Sequence, residues 1–254
     1  MLAVEMDSVS KAFGKTQALK DFSLKVESGE IKGLLGPNGS GKSTAMKIIT
    51  GILRPDSGSV KVLGIDVVQR PVEAKRMLGY VPETPRLYEF LTASEYLDFV
   101  GEAYDVKPSV RKERVDELLS ALQMDEHVNE LMSGFSQGMK QKIAIVAALV
   151  HKPKVLVLDE PLNGLDPRSA RFIKMLLNRL AKEGVAILFS THILEIAEAI
   201  CDRVTIVHQG EVLAEGGVNE LRMMAGMSGS SLEDVFLKLT GSEDIMAIVE
   251  ALRL

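Results

Sequence analysis

Residues 36–44 run Gly36-Pro37-Asn38-Gly39-Ser40-Gly41-Lys42-Ser43-Thr44, directly after the apolar segment Ile31–Leu35. These residue types at this spacing suit the binding of a nucleoside triphosphate. Glycines at 36, 39 and 41 let backbone N–H groups close around phosphate oxygens, where a Cβ would block the approach. Lys42 supplies a point charge for the β and γ phosphates, and the Ser43 hydroxyl suits a Mg²⁺ ligand. A helix predicted to begin near Ser43 adds the positive end of its dipole. The pattern predicts an ATP or GTP site.

A second constellation lies at Val155-Leu156-Val157-Leu158-Asp159-Glu160, an apolar strand ending in two adjacent acids. Strand ends on one side of a parallel sheet form the ligand crevice. Asp159 there suits holding Mg²⁺ through its waters, and Glu160 suits polarising the water that attacks a γ-phosphate. Adjacent acids after a strand are often only solvated turn residues, and it is the phosphate loop upstream that favours the catalytic reading. His192 follows Ser190-Thr191 at the end of another apolar stretch, 186–189, so it emerges at the same sheet edge. From there a histidine can donate to γ-phosphate oxygens as charge builds. His127, His151 and His208 lack that placement and read as structural.

These residues must be positioned by an alternation of strands and helices. The first thirty residues alternate apolar and polar, with turns at Gly14 and Ser28-Gly29, which predicts an antiparallel edge sheet. Pro55-Asp56-Ser57-Gly58 reads as a turn into a strand at Ser59–Leu63. From 84 to 134 the character changes. Thr92-Ala93-Ser94-Glu95 is a capping box opening a helix to about Tyr104, and Pro108-Ser109 starts another with Val115, Leu118, Leu119 and Leu122 on one face. A helix follows at about Ser136–His151. Asp166-Pro167 caps and starts one that stops at Gly184, and Val185–Phe189 is a buried strand. Arg203–Gln209 and Glu211–Glu215 form a hairpin around Gly210. Buried strands alternating with helices argue an α/β core with a parallel sheet.

The 254 residues are 46% hydrophobic and 26% charged with a net charge of −5, an ordinary globular composition without a basic run. No nucleic-acid-binding face is indicated. The single cysteine, Cys201, excludes an internal disulfide and reads as a packing residue. Glu5 comes too early for a secretory leader, and the longest apolar run, 143–150, is far below the ~20 residues of a membrane span. Any spanning part is therefore expected on another chain.

Taken together, the segments resemble the nucleotide-binding subunit of ABC transporters from about Leu2 to at least Gly217. By resemblance, Phe13 takes the place of the aromatic that stacks on adenine, and Gly36–Thr44 that of the Walker A loop. Asp159 matches the Walker B carboxylate, Glu160 the catalytic glutamate, Leu165-Asp166 the D-loop and His192 the switch histidine. Phe135-Ser136-Gln137-Gly138-Met139 stands where the signature motif belongs, so Ser136 and Gly138 would contact the γ-phosphate bound by an opposite protomer. The resemblance implies a P-loop NTPase (RecA-like) core with an antiparallel β subdomain and an α-helical subdomain inserted at about 84–151. It also implies a nucleotide-binding domain over 1–217 and a C-terminal helical extension over 218–254. ATP and Mg²⁺ are the implied ligands. The implied partners are a second copy, head to tail, and a separate integral-membrane permease at the cytoplasmic face, with no nucleic acid.

Two positions depart from the family pattern. Gln137 and Met139 replace the first glycine and the glutamine of the signature. Glu83, in Val81-Pro82-Glu83, replaces the glutamine that joins Mg²⁺ to the transmembrane partner, and a carboxylate can still ligate or bridge to the ion. Both departures, and the tail Ser231–Gly241, resemble the ABC-2-type, drug-export-like branch. The tail by itself reads as a capped amphipathic helix with Leu232, Val235, Phe236 and Leu239 on one face. By default that face packs back on its own domain, with binding of a partner as the alternative. A soluble ABC-type ATPase acting on a ribosome, DNA or another protein remains the alternative. A regulatory module without turnover is disfavoured by the presence of both Glu160 and His192.

Overall fold

The structure is a computed structural model that describes residues 1–227 and 229–241. Alternating apolar residues at the start fold as expected into two long antiparallel strands, β1 (Leu2–Phe13) and β2 (Thr16–Glu27). Val4, Met6, Val9, Leu19, Phe22, Leu24 and Val26 all turn inward and are fully buried. With β4 (Ser57–Val62) and β5 (Ile65–Asp66) they make a four-stranded sheet in the order β2-β1-β4-β5. β4 begins two residues before the predicted strand, because Ser57 pairs with Ser10 across an irregular step in β1.

The second sheet has six strands and carries the site. Its order is β10 (Glu211–Gly216), β9 (Arg203–His208), β3 (Ile31–Leu35), β8 (Ala186–Ser190), β7 (Val155–Asp159) and β6 (Leu78–Val81). All neighbours are parallel except β10, which runs antiparallel to β9. β3, β7 and β8 are buried at every residue, as strands covered on both faces must be. The period of two sorts their side chains. Val155, Val157 and Leu188 face the small sheet and α1 (Lys42–Ile49), whose Met46 and Ile49 complete that core. Leu156, Leu158, Ile187 and Phe189 face α5 (Gln137–Leu149) and α6 (Pro167–Lys182) through Ile143, Val146, Ile173 and Leu177.

Between β6 and α5 lie α3 (Ala93–Ala103) and α4 (Pro108–Ala121). The Thr92 side chain accepts from Glu95 N–H while the Glu95 carboxylate accepts from Thr92 N–H, the predicted capping box. Leu97, Val115, Leu119 and Leu122 are buried with α5, and Leu118 is partly buried. Each fully buried leucine contributes about 1.5–3 kcal/mol over an exposed one. The sequence reading did not single out the short elements β5, β6, α2 (Pro71–Arg76) and α7 (Leu194–Ile200), and α8 (Val218–Met224) falls within the expected helical extension. α9 (Leu232–Thr240) is capped by Ser231 and Asp234 and packs back on its own chain. Its Leu232 and Val235 share a core with Leu221, Leu35, Val204 and Ile206. Residues 228 and 242–254 of the expected extension lie outside the described residues. Among the described residues no helix is long and apolar enough to cross a membrane.

Candidate functional site

The loop after β3 turns tightly enough that a Cβ at Gly36 would stand 2.3 Å from the Val207 carbonyl oxygen and 2.5 Å from Ser40 Oγ. Only glycine fits there. Lys42, in the first turn of α1, is 7% exposed and donates Nζ–H groups to the carbonyls of Gly36 at 2.8 Å and Pro37 at 3.1 Å. Burial lowers its pKa, opposed by the negative charges of Glu160, Asp159 and Glu83. Ser40 Oγ is buried and has no hydrogen-bond partner among the described residues. Ser40 and Lys42, with Asn38, Gly39, Gly41, Ser43 and Thr44, line a cleft of about 330 Å³, while Gly36 and Pro37 shape the loop behind it.

The opposite wall comes from strand ends. Asp159 and Glu160 leave β7, Glu83 follows β6, and all three line the same cleft as the loop. Asp159 and Glu160 are 2% and 8% exposed. Ser190 ties them together: its Oγ–H donates to Asp159 Oδ1 at 2.6 Å and accepts from Glu160 N–H at 3.0 Å. Glu160 Oε1 accepts from His192 Nδ1 at 2.9 Å. The Glu160 backbone is left-handed, φ +48°, a strained conformation for this residue type. The Tyr80 hydroxyl is buried and without a hydrogen-bond partner among the described residues, and burial with Asp159 and Glu83 holds its pKa well above the phenol range. Three carboxylates against one lysine leave an excess of hard oxygen donors. Among the described residues no three of these side chains converge to hold a metal ion by themselves. A divalent cation here would take Ser43 Oγ and one or two carboxylates, with phosphate oxygens and waters completing its shell. Ser190 and Tyr80 were missed by sequence reasoning. A polar residue closing an otherwise apolar strand was the available signal for Ser190.

Other predicted residues lie outside this cleft lining. Phe13 is half exposed at the end of β1, opposite Thr16, which does line the cleft, and Lys11 Nζ sits 5.7 Å from its ring centre. Ser136 is exposed at the head of α5, where its Oγ accepts from Met139 N–H at 3.3 Å. Gly138 is pressed against the loop that follows Glu160, and a Cβ there would meet the Gly164 carbonyl oxygen at 2.4 Å. Asp166 caps α6, accepting from Ser169 N–H and Oγ–H, and pairs with Lys142 at 3.0 Å. These partners hold its carboxyl far below the usual range.

Two of the remaining histidines make contacts away from the cleft, and the buried His208 Nδ1 has no hydrogen-bond partner among the described residues. His127 pairs with Glu130, and His151 bonds the Leu78 carbonyl and stacks on Tyr104. Burial, with Asp202 beside it, pushes the Cys201 thiol up to about 12. Of the apolar residues after Glu83, Leu87 and Leu91 pack into the core. Tyr88 and Phe90 are exposed, 49% and 75%, and their rings stack 5.8 Å apart.

The profile of the family described as ABC transporter matches residues 19–163. The chain belongs to the ABC transporter family. It is similar to the ABC-type transporter ATP-binding protein EcsA of Bacillus subtilis, 36% identical over 94% of this chain and 97% of that one. It is also 36% identical to the linearmycin resistance ATP-binding protein LnrL of the same organism, over 98% of this chain and 78% of that one. Among solved structures it resembles the ATP binding subunit of an ABC transporter, with a TM-score of 0.90, 35% identity and coverage of 93% and 99%. The dimeric cassette MJ0796 bound to ADP and Pi superposes with a TM-score of 0.78, 28% identity and coverage of 84% and 98%. The protein is thus an ABC ATP-binding cassette with the P-loop NTPase fold, and the two-sheet architecture agrees with the sequence expectation.

Proposed function

We propose that this cassette is the ATP-hydrolysing subunit of an exporter, working as a head-to-tail homodimer on a separate integral-membrane permease at the cytoplasmic face. The observation that carries the reading is one cleft in which residues Asn38–Thr44 face Glu83, Asp159 and Glu160, with His192 bonded to Glu160. In it Lys42 exchanges the Gly36 and Pro37 carbonyls for the β and γ phosphates of ATP. Glu160 orients and polarises the attacking water, and His192 donates toward the γ-phosphate as charge accumulates. Ser43, Asp159 and Glu83 would hold Mg²⁺, which when bound neutralises charge on the phosphates. Phe13, at the rim, would stack on the adenine.

Ser136 and Gln137 are exposed at the head of α5, so that helix end is available to a phosphate on a second copy. Asp166, behind it, would sit at the same dimer interface. The exposed aromatic pair Tyr88 and Phe90, in the segment after Glu83, suits docking of a permease. The similarity to a linearmycin resistance protein supports export. Glu160→Gln tests the chemistry: hydrolysis should fall by about 10²–10⁴-fold while ATP still binds. Undiminished turnover would overturn the role. The same variant, tagged and used with ATP to retrieve partners from detergent-solubilised membranes, should bring down a multi-span protein. Soluble partners alone would overturn the transporter assignment.

A further inference from the structure

The segment after Glu160 is fastened to one face of α5 at three successive points. Gly138 lies against Gly164, Gln141 Nε2 donates to the Pro161 carbonyl at 3.1 Å, and Lys142 reaches Asp166 at 3.0 Å. The Gln141 bond is the one nearest the chemistry, because it falls on the residue directly after Glu160. Gln141 is 1% exposed and shares its face of α5 with the buried Ala144, Ile145 and Ala148, at helical spacings of three, four and seven. Burying an amide there is costly unless it is hydrogen-bonded. The acceptor it uses is a particular one. Proline has no N–H, so the carbonyl is the only polar backbone group that residue 161 offers.

That carbonyl belongs to a turn that needs holding. Glu160 is left-handed at φ +48°, a conformation that persists in a residue of this type only when its surroundings over-determine it. On the upstream side Ser190 Oγ accepts from the Glu160 N–H, and Asn163 N–H closes onto the Glu160 carbonyl at 3.1 Å. Gln141 supplies the downstream fastening.

We propose that Gln141 is a positioning residue of the hydrolytic site, fixing through the Pro161 carbonyl the turn that aims the Glu160 carboxylate into the cleft. This rests on Glu160 activating the water, as proposed above. Gln141→Met keeps length and bulk but removes the donor. It should lower kcat about tenfold to a hundredfold, as small displacements of a catalytic group do, with KM and the ATP Kd within threefold. In the Glu160→Gln background, read by single-turnover hydrolysis of labelled ATP, the same substitution should change the residual rate less than twofold, since its target is already gone.

Gln141→Asn, which keeps the amide but falls short of the carbonyl, should behave as Gln141→Met does. A kcat within twofold of wild type would overturn the proposal, as would an equal loss in both backgrounds. Failure of both variants to fold would make Gln141 a core strut and also overturn it. The base assignment fails separately, by full turnover of Glu160→Gln alone.

Discussion

Gly138→Ala separates two reasons for a glycine at the head of α5. If the glycine serves only a partner's nucleotide, an added methyl is harmless to the isolated chain and even favours the helix. The geometry says otherwise. The new Cβ would stand 2.4 Å from the Gly164 carbonyl oxygen, about 1 Å inside ordinary contact. The helix cannot recoil freely, because Gln141 and Lys142 fasten it to Pro161 and Asp166 just beyond. Overpacking of this kind costs about 1–3 kcal/mol, and replacing a helical glycine by alanine returns up to about 1 kcal/mol. Taking the middle of each range leaves a net loss of about 1.5 kcal/mol, a fall in Tm of about 3–6 °C for a chain of this size. Thermal unfolding of the nucleotide-free monomer measures it. Gly134→Ala serves as control, since a Cβ there meets nothing within 4 Å. A Gly138→Ala chain that unfolds at or above the wild-type Tm would refute the intrachain clash.

Two further outcomes follow from the site and the core. Lys42→Ala should weaken ATP binding about tenfold to a hundredfold by calorimetry, the worth of a charge-assisted hydrogen bond, and an unchanged Kd would sink the phosphate role. The Cys201 thiol, pushed up to about 12 by burial, should resist a thiol reagent at pH 8 in the native chain and react fully once unfolded. Rapid native labelling would contradict its burial. Because folding favours the protonated thiol, the stability it carries is full below about pH 9 and drains as pH rises toward 12.

Much of the site was legible because its residue types carry their geometry with them. A glycine-spaced loop before a lysine has few other uses, and a buried strand ending in two acids places them at a sheet edge. The Thr92–Glu95 pair announced α3, and the spacing of Leu232, Val235, Phe236 and Leu239 announced α9. What stayed hidden lacked a period or depended on folding. β6 has four residues, and α2 and α7 have six and seven, less than two full helical turns. Ser190 and Gln141 gain meaning only from acids and carbonyls distant in sequence. Leu87 and Leu91 could not be told from Tyr88 and Phe90 until α3 and α5 covered one pair and left the other in solvent. Lys142 gave no sign that its partner would be the capping Asp166.

The order of the large sheet sets a gauge for the reaction. β8 lies between β3, which delivers the phosphate loop, and β7, which delivers Asp159 and Glu160. Two interstrand steps of about 4.8 Å put roughly 10 Å between the two delivery points, a gap on the scale of a triphosphate with its attacking water. That width is quantised by hydrogen-bonded backbone. Substitution can retune charge and aim within the gap, but changing its width would require inserting or removing a whole strand.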